Sequence, residues 1–122
     1  ALIAGVVDVY VADFKFGNDG CARRIAGVED YVETVTRNLL LVAEQNDLIV
    51  RHLLLPGHFD CCYRPVVAWL RRKLPRTKFS IRDGYLPRWR AKHSAELAVA
   101  LPAEAGHQAA DLALEEGLCV IH

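Results

Sequence analysis

The chain has 122 residues, Lys plus Arg matches Asp plus Glu at 15 each, and 52% of its positions are hydrophobic. That length holds one small domain with a single core, and the balanced charge excludes a global field aimed at nucleic acid or an anionic membrane. Apolar runs such as Leu39–Ala43 and Leu53–Leu55 are too short to cross a bilayer, and no charged-then-apolar leader opens the chain, so it reads as soluble and cytoplasmic.

In chain order, Val6–Asp13 is a β-branched run without helical period and predicts a buried parallel strand. Gly17-Asn18-Asp19-Gly20 breaks it. From Val28 onward, Tyr31, Val32, Val35, Leu39 and Val42 keep the three-four spacing of one helix face, and Asn46-Asp47 ends that helix. Leu48–Leu55 predicts a second strand, closed by Pro56-Gly57. A second helix begins within Asp60–Pro65, where Pro65 suits a first turn. Its stripe is Tyr63, Val66, Val67, Leu70 and Leu74, its basic end is Arg71-Arg72-Lys73, and Pro75 stops it. Lys78–Ile81 predicts a short third strand, and Asp83–Leu101 is irregular and partly basic. A last helix runs from about Pro102 to Gly117, followed by a fourth strand at Leu118–Ile121.

This alternation predicts an α/β fold of right-handed βαβ units on a parallel sheet. Four strands are half of the roughly eight that close a full barrel, so the sheet is either small and open or part of something larger. No second domain can be drawn. The opening Ala1-Leu2-Ile3-Ala4 reads as the tail of an element, and Leu118-Cys119-Val120-Ile121-His122 as a strand with nothing after it, so we expect residues 1–122 to be a single fragment.

In such sheets ligands sit beyond the carboxyl ends of the strands. That rule selects Asp13 and Lys15, the Arg51–Gly57 stretch, and the Asp83–Pro87 stretch. Asp13 and Lys15 are two apart, so an extended backbone projects both to one side, with Val9 and Val11. A carboxylate and an ammonium side by side suit a zwitterion such as an amino acid, or simply pair with each other or cap the next helix. Arg51 and His52 are adjacent and must face opposite sides of their strand. Arg51 needs an anionic partner wherever it points, either a bound carboxylate or a side chain such as Asp13. His52 on an outer face reads as a packing histidine rather than a catalyst.

The four cysteines, Cys21, Cys61, Cys62 and Cys119, read as reduced thiols. Cys61 and Cys62 near His58 hint at a metal, but vicinal cysteines are poorly disposed around one tetrahedral ion, and no second pair follows at zinc-site spacing. The expectation there is packing at a helix start. Arg88-Trp89-Arg90-Ala91-Lys92-His93 reads as a solvated basic loop, since no nucleic-acid-binding motif accompanies it.

Val7-Asp8-Val9-Tyr10-Val11-Ala12-Asp13-Phe14-Lys15-Phe16, Asp30-Tyr31 opening a helix, and Val50-Arg51-His52-Leu53-Leu54-Leu55-Pro56-Gly57 follow one another in an order that resembles a known family. Tyr85-Leu86-Pro87 and Glu115-Glu116-Gly117-Leu118 add to it. The likeness is to the second half of radical S-adenosylmethionine (radical SAM) proteins related to pyruvate formate-lyase activating enzyme, in their uncharacterised branch, and it spans nearly the whole chain.

The resemblance implies a partial (β/α)₆ TIM-type barrel of which these are the later strands. It implies that Asp13 and Lys15 lie beside the methionine end of S-adenosylmethionine, that Arg51 faces inward to reach the same cofactor, and that His52 and Tyr85 are candidates for the substrate or cofactor wall. It further implies an oxidoreductase in which a [4Fe–4S] cluster reduces the bound sulfonium by one electron, releasing a 5′-deoxyadenosyl radical. In the activating enzymes that radical takes a hydrogen from a glycine of a partner protein.

The sequence departs from the family in three places. The Cys-x₃-Cys-x₂-Cys spacing that holds the cluster is absent, and the four cysteines here do not replace it. We therefore expect the cluster cysteines upstream of residue 1, no cofactor bound to the fragment itself, and no activity from it alone. The glycine-rich segment for the cofactor's amino group is also absent, and Asp83-Gly84 stands where relatives carry Met or Gln before the tyrosine. Expected partners are the missing N-terminal half, a glycyl-radical enzyme or other protein substrate, and further copies of the chain through an exposed sheet edge. The competing expectation is a self-contained α/β small-anion-binding or interaction domain without redox chemistry.

Overall fold

A computed structural model describes residues 9–85 and 97–121. The stretch before Val9, the Leu86–Glu96 stretch with its basic run, and His122 lie outside the described residues.

Four strands, β1 (Val9–Asp13), β2 (Asp47–Leu53), β3 (Lys78–Arg82) and β4 (Cys119–Ile121), form one sheet in the order β1-β2-β3-β4. Every neighbouring pair is parallel. Between them run the helices α1 (Asp19–Ala26), α2 (Tyr31–Gln45), α3 (Arg64–Lys73) and α4 (Ala105–Glu115). The fold is mixed α/β with an all-parallel sheet, as the alternation of elements predicts.

Sequential strand order has a consequence. When each parallel crossover is right-handed and each strand pairs with its predecessor, all crossovers fall on one face of the sheet. The burial pattern follows this. Tyr10, Ala12, Leu48, Val50, Phe79, Ile81 and Val120 pack into one core with Leu39 of α2, Val66, Val67 and Leu70 of α3, and Ala105, Ala109 and Ala113 of α4. The residues between them, Val9, Val11, Asp13, Arg51 and Leu53, are exposed on the other face. Among the described residues the sheet is thus covered on one side only.

Two elements differ from the sequence reading. α1 occupies a stretch read as a simple break. Asn18 accepts from the Cys21 N–H at 2.7 Å and caps it, and Gly27 ends it in the left-handed region at φ 68°. α1 also caps α2: Asp19 Oδ1 accepts from the Val32 N–H at 2.9 Å, which answers for a cap residue, Asp30, whose own side chain makes no capping bond. The second difference is a π-helical turn, Phe59–Tyr63, immediately before α3. There the His58 carbonyl accepts from both the Cys62 and Tyr63 N–H groups, at 3.2 and 3.1 Å. Gly117, at φ 81°, ends α4 where expected.

No helix among the described residues is long and apolar enough to cross a membrane. Within them β1 forms one edge of the sheet, and its outward valines are 48% and 53% exposed. Unpaired strand groups beside apolar side chains invite association. We expect the apparent mass of the protein by static light scattering to rise with concentration. A constant monomer mass across that series speaks against it.

Candidate functional site

The carboxyl ends of β1 and β2 set the first group of residues. Parallel pairing places Asp13 directly beside Arg51, so their side chains leave the same face, and Arg51 Nε donates to Asp13 Oδ1 at 2.8 Å. Both side chains remain well exposed, at 45% for Arg51 and 40% for Asp13. A pair so open to water contributes about 0–1 kcal/mol, so a ligand that offers each partner a better counter-charge opens it at little cost. Pairing continues beyond the strand, where the Phe14 N–H donates to the Arg51 carbonyl at 2.8 Å. Phe14 and Phe16 are buried and Lys15 between them is exposed. The Lys15 N–H donates to the Tyr31 hydroxyl at 2.6 Å, which ties this strand end to α2. Asp13 and Arg51 therefore stand together on the uncovered face, with Lys15 exposed just past it.

His52 is not part of that grouping. His52 points under the helices and is 2% exposed. Its Nδ1 lies 2.7 Å from the Phe14 carbonyl, and burial lowers its pKa from 6.5 to about 4 against the raising effect of that bond. The alternation that sends Arg51 outward sends its neighbour into the core. The Tyr85 hydroxyl donates to the Leu97 carbonyl at 2.6 Å, bridging the two described segments.

A second group was not assembled by sequence reasoning. Cys21, His58, Cys61 and Cys62 bring one ligand atom each within 4.8 Å of one another. Cys21 comes from the first turn of α1, beyond β1, and the others from the loop and π-turn beyond β2. Asn18 joins the two: its Nδ2 donates to the Cys61 carbonyl at 2.7 Å and to Cys21 Sγ at 3.3 Å. Close approach of backbone makes this possible. A Cβ on Gly17 would lie 2.6 Å from the Cys62 carbonyl oxygen and 2.8 Å from its Cα, so only glycine lets the loop after β1 sit against the π-turn.

The π-turn also removes the objection to vicinal cysteines. More residues per turn mean a smaller angular step between neighbours than in an α-helix, and Cys61 and Cys62 Sγ come within 3.7 Å. Cys21 and Cys61 Sγ are also 3.7 Å apart, far longer than a disulfide bond of about 2.05 Å, and all four cysteines of the chain are free. Burial pushes the Cys62 thiol up to about 12 and raises that of Cys61. Burial also acts to raise Cys21, but hydrogen bonds from Asn18 and the neighbouring thiols outweigh it and bring that thiol down from 9.0 to about 7. The group is too tight for an iron–sulfur cube, whose irons stand apart and spread their thiolates.

A concavity of about 480 Å³ lies at the other end of the sheet, where Val9, Asp47 and Lys78 begin their strands. Ligands of parallel sheets sit at the carboxyl ends, so this hollow is not the candidate site.

No protein-family model matches the chain. It is 35% identical over 121 residues to an uncharacterised protein of Methanocaldococcus jannaschii. That stretch is 99% of this chain and 36% of the relative, so the chain spans about a third of the relative's length.

Proposed function

We propose that the chain is the later part of a radical SAM enzyme similar to pyruvate formate-lyase activating enzyme, and that its bare sheet face is one wall of a (β/α)₆ partial barrel. The observation that carries this reading is the Asp13–Arg51 pair, held at 2.8 Å on the uncovered face at the carboxyl ends of two parallel strands. A barrel needs helices outside and side chains inside, and a one-sided helical layer suits that division.

The donor set suits the methionine end of S-adenosylmethionine. Asp13 would take the ammonium, and Arg51 the carboxylate through its planar fork. Lys15, exposed beyond β1, would add a second positive charge for the carboxylate. In exchange the pair gives up a solvent-screened bond of small worth. Bound with its iron–sulfur cluster, the cofactor would supply one-electron cleavage of its sulfonium; the residues of this chain would hold and orient it. His52 serves the wall only indirectly, by fixing the Phe14 carbonyl beneath the strand end.

A relative far longer than the chain is compatible with the cluster-bearing half lying elsewhere in a longer protein. In that protein we expect Asp13→Ala and Arg51→Ala each to weaken S-adenosylmethionine binding by about 10- to 100-fold, the worth of a charge-assisted hydrogen bond of about 1.5–3 kcal/mol. Isothermal titration measures it. Unchanged affinity in both variants overturns the assignment. The second reading, an α/β small-anion-binding or interaction domain, draws on the fact that Asp13 and Arg51 satisfy each other without a ligand. Under it, a simple carboxylate such as acetate binds the protein as tightly as the full cofactor does.

A further inference from the structure

We infer that Cys21, His58, Cys61 and Cys62 form a four-ligand site for a single Zn²⁺ ion that clasps the loop after β1 to the loop after β2. The inference rests on the geometry of these side chains and is independent of the cofactor reading above.

Three of the distances are those of one tetrahedral ion. Zinc–thiolate bonds of about 2.3 Å at tetrahedral angles place sulfurs about 3.8 Å apart, and a zinc–imidazole bond of about 2.0–2.1 Å gives sulfur–nitrogen edges of about 3.6 Å. Cys21–Cys61 and Cys61–Cys62 are both 3.7 Å. His58 Nδ1 stands 3.7 Å from Cys62 Sγ and 3.1 Å from Cys61 Sγ, and the remaining separations fall within 4.8 Å. Four ligand atoms from two separate loops thus surround one point at metal-site spacing.

The surroundings suit an ion with three thiolates. Three sulfurs and an imidazole form a complete ligand set of the structural type, which leaves no open position for substrate. Cys21, His58 and Cys62 are buried, and Cys61 keeps partial access to solvent, an entry path for the ion. Zinc with three thiolates carries one net negative charge. Arg24 Nη2 approaches Cys21 Sγ at 4.0 Å, and the Asn18 amide donates to the same sulfur at 3.3 Å, the kind of outer-shell support that orients and balances metal ligands. Apolar packing explains buried cysteines but not the convergence of all four donors. A redox disulfide explains two sulfurs and leaves His58 and the third thiol without a role.

The position gives the site its purpose. Both loops leave the carboxyl ends of the strands that present Asp13 and Arg51, so the ion fixes the spacing of that rim across 40 residues of sequence.

Cobalt(II) is the probe, because tetrahedral thiolate coordination gives intense visible absorption and a sulfur-to-metal charge-transfer band, whereas octahedral oxygen and nitrogen coordination gives almost none. We expect the purified protein to hold one zinc per chain by elemental analysis, and the chelator-stripped protein to take up one cobalt with the tetrahedral spectrum. Zinc should then displace the cobalt. Cys21→Ser and His58→Gln should each weaken zinc by more than about 100-fold, beyond the 10–100-fold range typical of outer-shell losses. Circular dichroism checks that each variant is folded, and if either is not, the wild-type cobalt spectrum alone decides. Uptake with a weak octahedral spectrum, no uptake at one equivalent, or undiminished affinity in folded Cys21→Ser overturns the site.

Discussion

Replacing Tyr63 with alanine should destabilise the protein by about 4 kcal/mol, the range found when large aromatic side chains are removed from a core. Tyr63 has no exposed surface. Its ring meets those of His52, Phe59 and Phe79 at centroid distances of 5.4, 5.1 and 6.1 Å, and its hydroxyl donates to the Ala109 carbonyl of α4 at 2.5 Å. One side chain thus links β2, the π-turn, β3 and α4. Small domains have only about 5–15 kcal/mol of stability in all, so this loss brings the variant close to unfolding at room temperature. Tyr63→Phe keeps the ring and loses one neutral hydrogen bond, an effect of about 1 kcal/mol. Urea denaturation followed by circular dichroism measures both. Equal midpoints for the two variants would show that the ring contacts contribute little and would falsify the account.

Acid should weaken the fold through His52, and the direction follows from which state binds the proton more readily. Unfolded, the imidazole protonates near pH 6.5; folded, its burial delays this to about pH 4. Between those values the unfolded chain carries more protons, so stability falls as pH falls. The loss is absent above pH 6.5, grows through the window and levels off below about pH 4. A shift of that size corresponds to about 3 kcal/mol at its full extent. Urea midpoints at pH 7.5 and pH 4.5, compared between wild type and His52→Gln, isolate this contribution. We expect the variant to lose less stability on acidification. An equal drop in both proteins would assign the acid sensitivity to other groups.

How far the sequence carries these conclusions depends on the range of the interaction involved. The stripe through Tyr31, Val35, Leu39 and Val42 and the strand from Leu48 were legible because each element reports its own buried face. From strand alternation alone, the facing of Arg51 and His52 was legible only as an opposition, and the choice of Arg51 for the inner side came from the resemblance; physically, the layout of three helices on one side decides which of them is buried. α1 was missed although its signals are present. Asn18 and Gly27 are proper ends, but eight residues with a glycine in the first turn have too little apolar period to rise above a break. The cysteine and histidine group was out of reach for a different reason. Nothing local says that the π-turn will swing Cys61 and Cys62 toward one point, or that Gly17 will let Cys21 approach from 40 residues away.

The one-sided helical layer divides each strand into two vocabularies. Tyr10, Ala12, Val50, Phe79 and Val120 answer to the helices, while Val9, Val11, Asp13, Arg51 and Leu53 answer only to whatever fills the bare side. A combinatorial library confined to the second set can therefore rewrite recognition while the architecture persists. The same library applied to the first set erases the architecture before any new specificity can be tried.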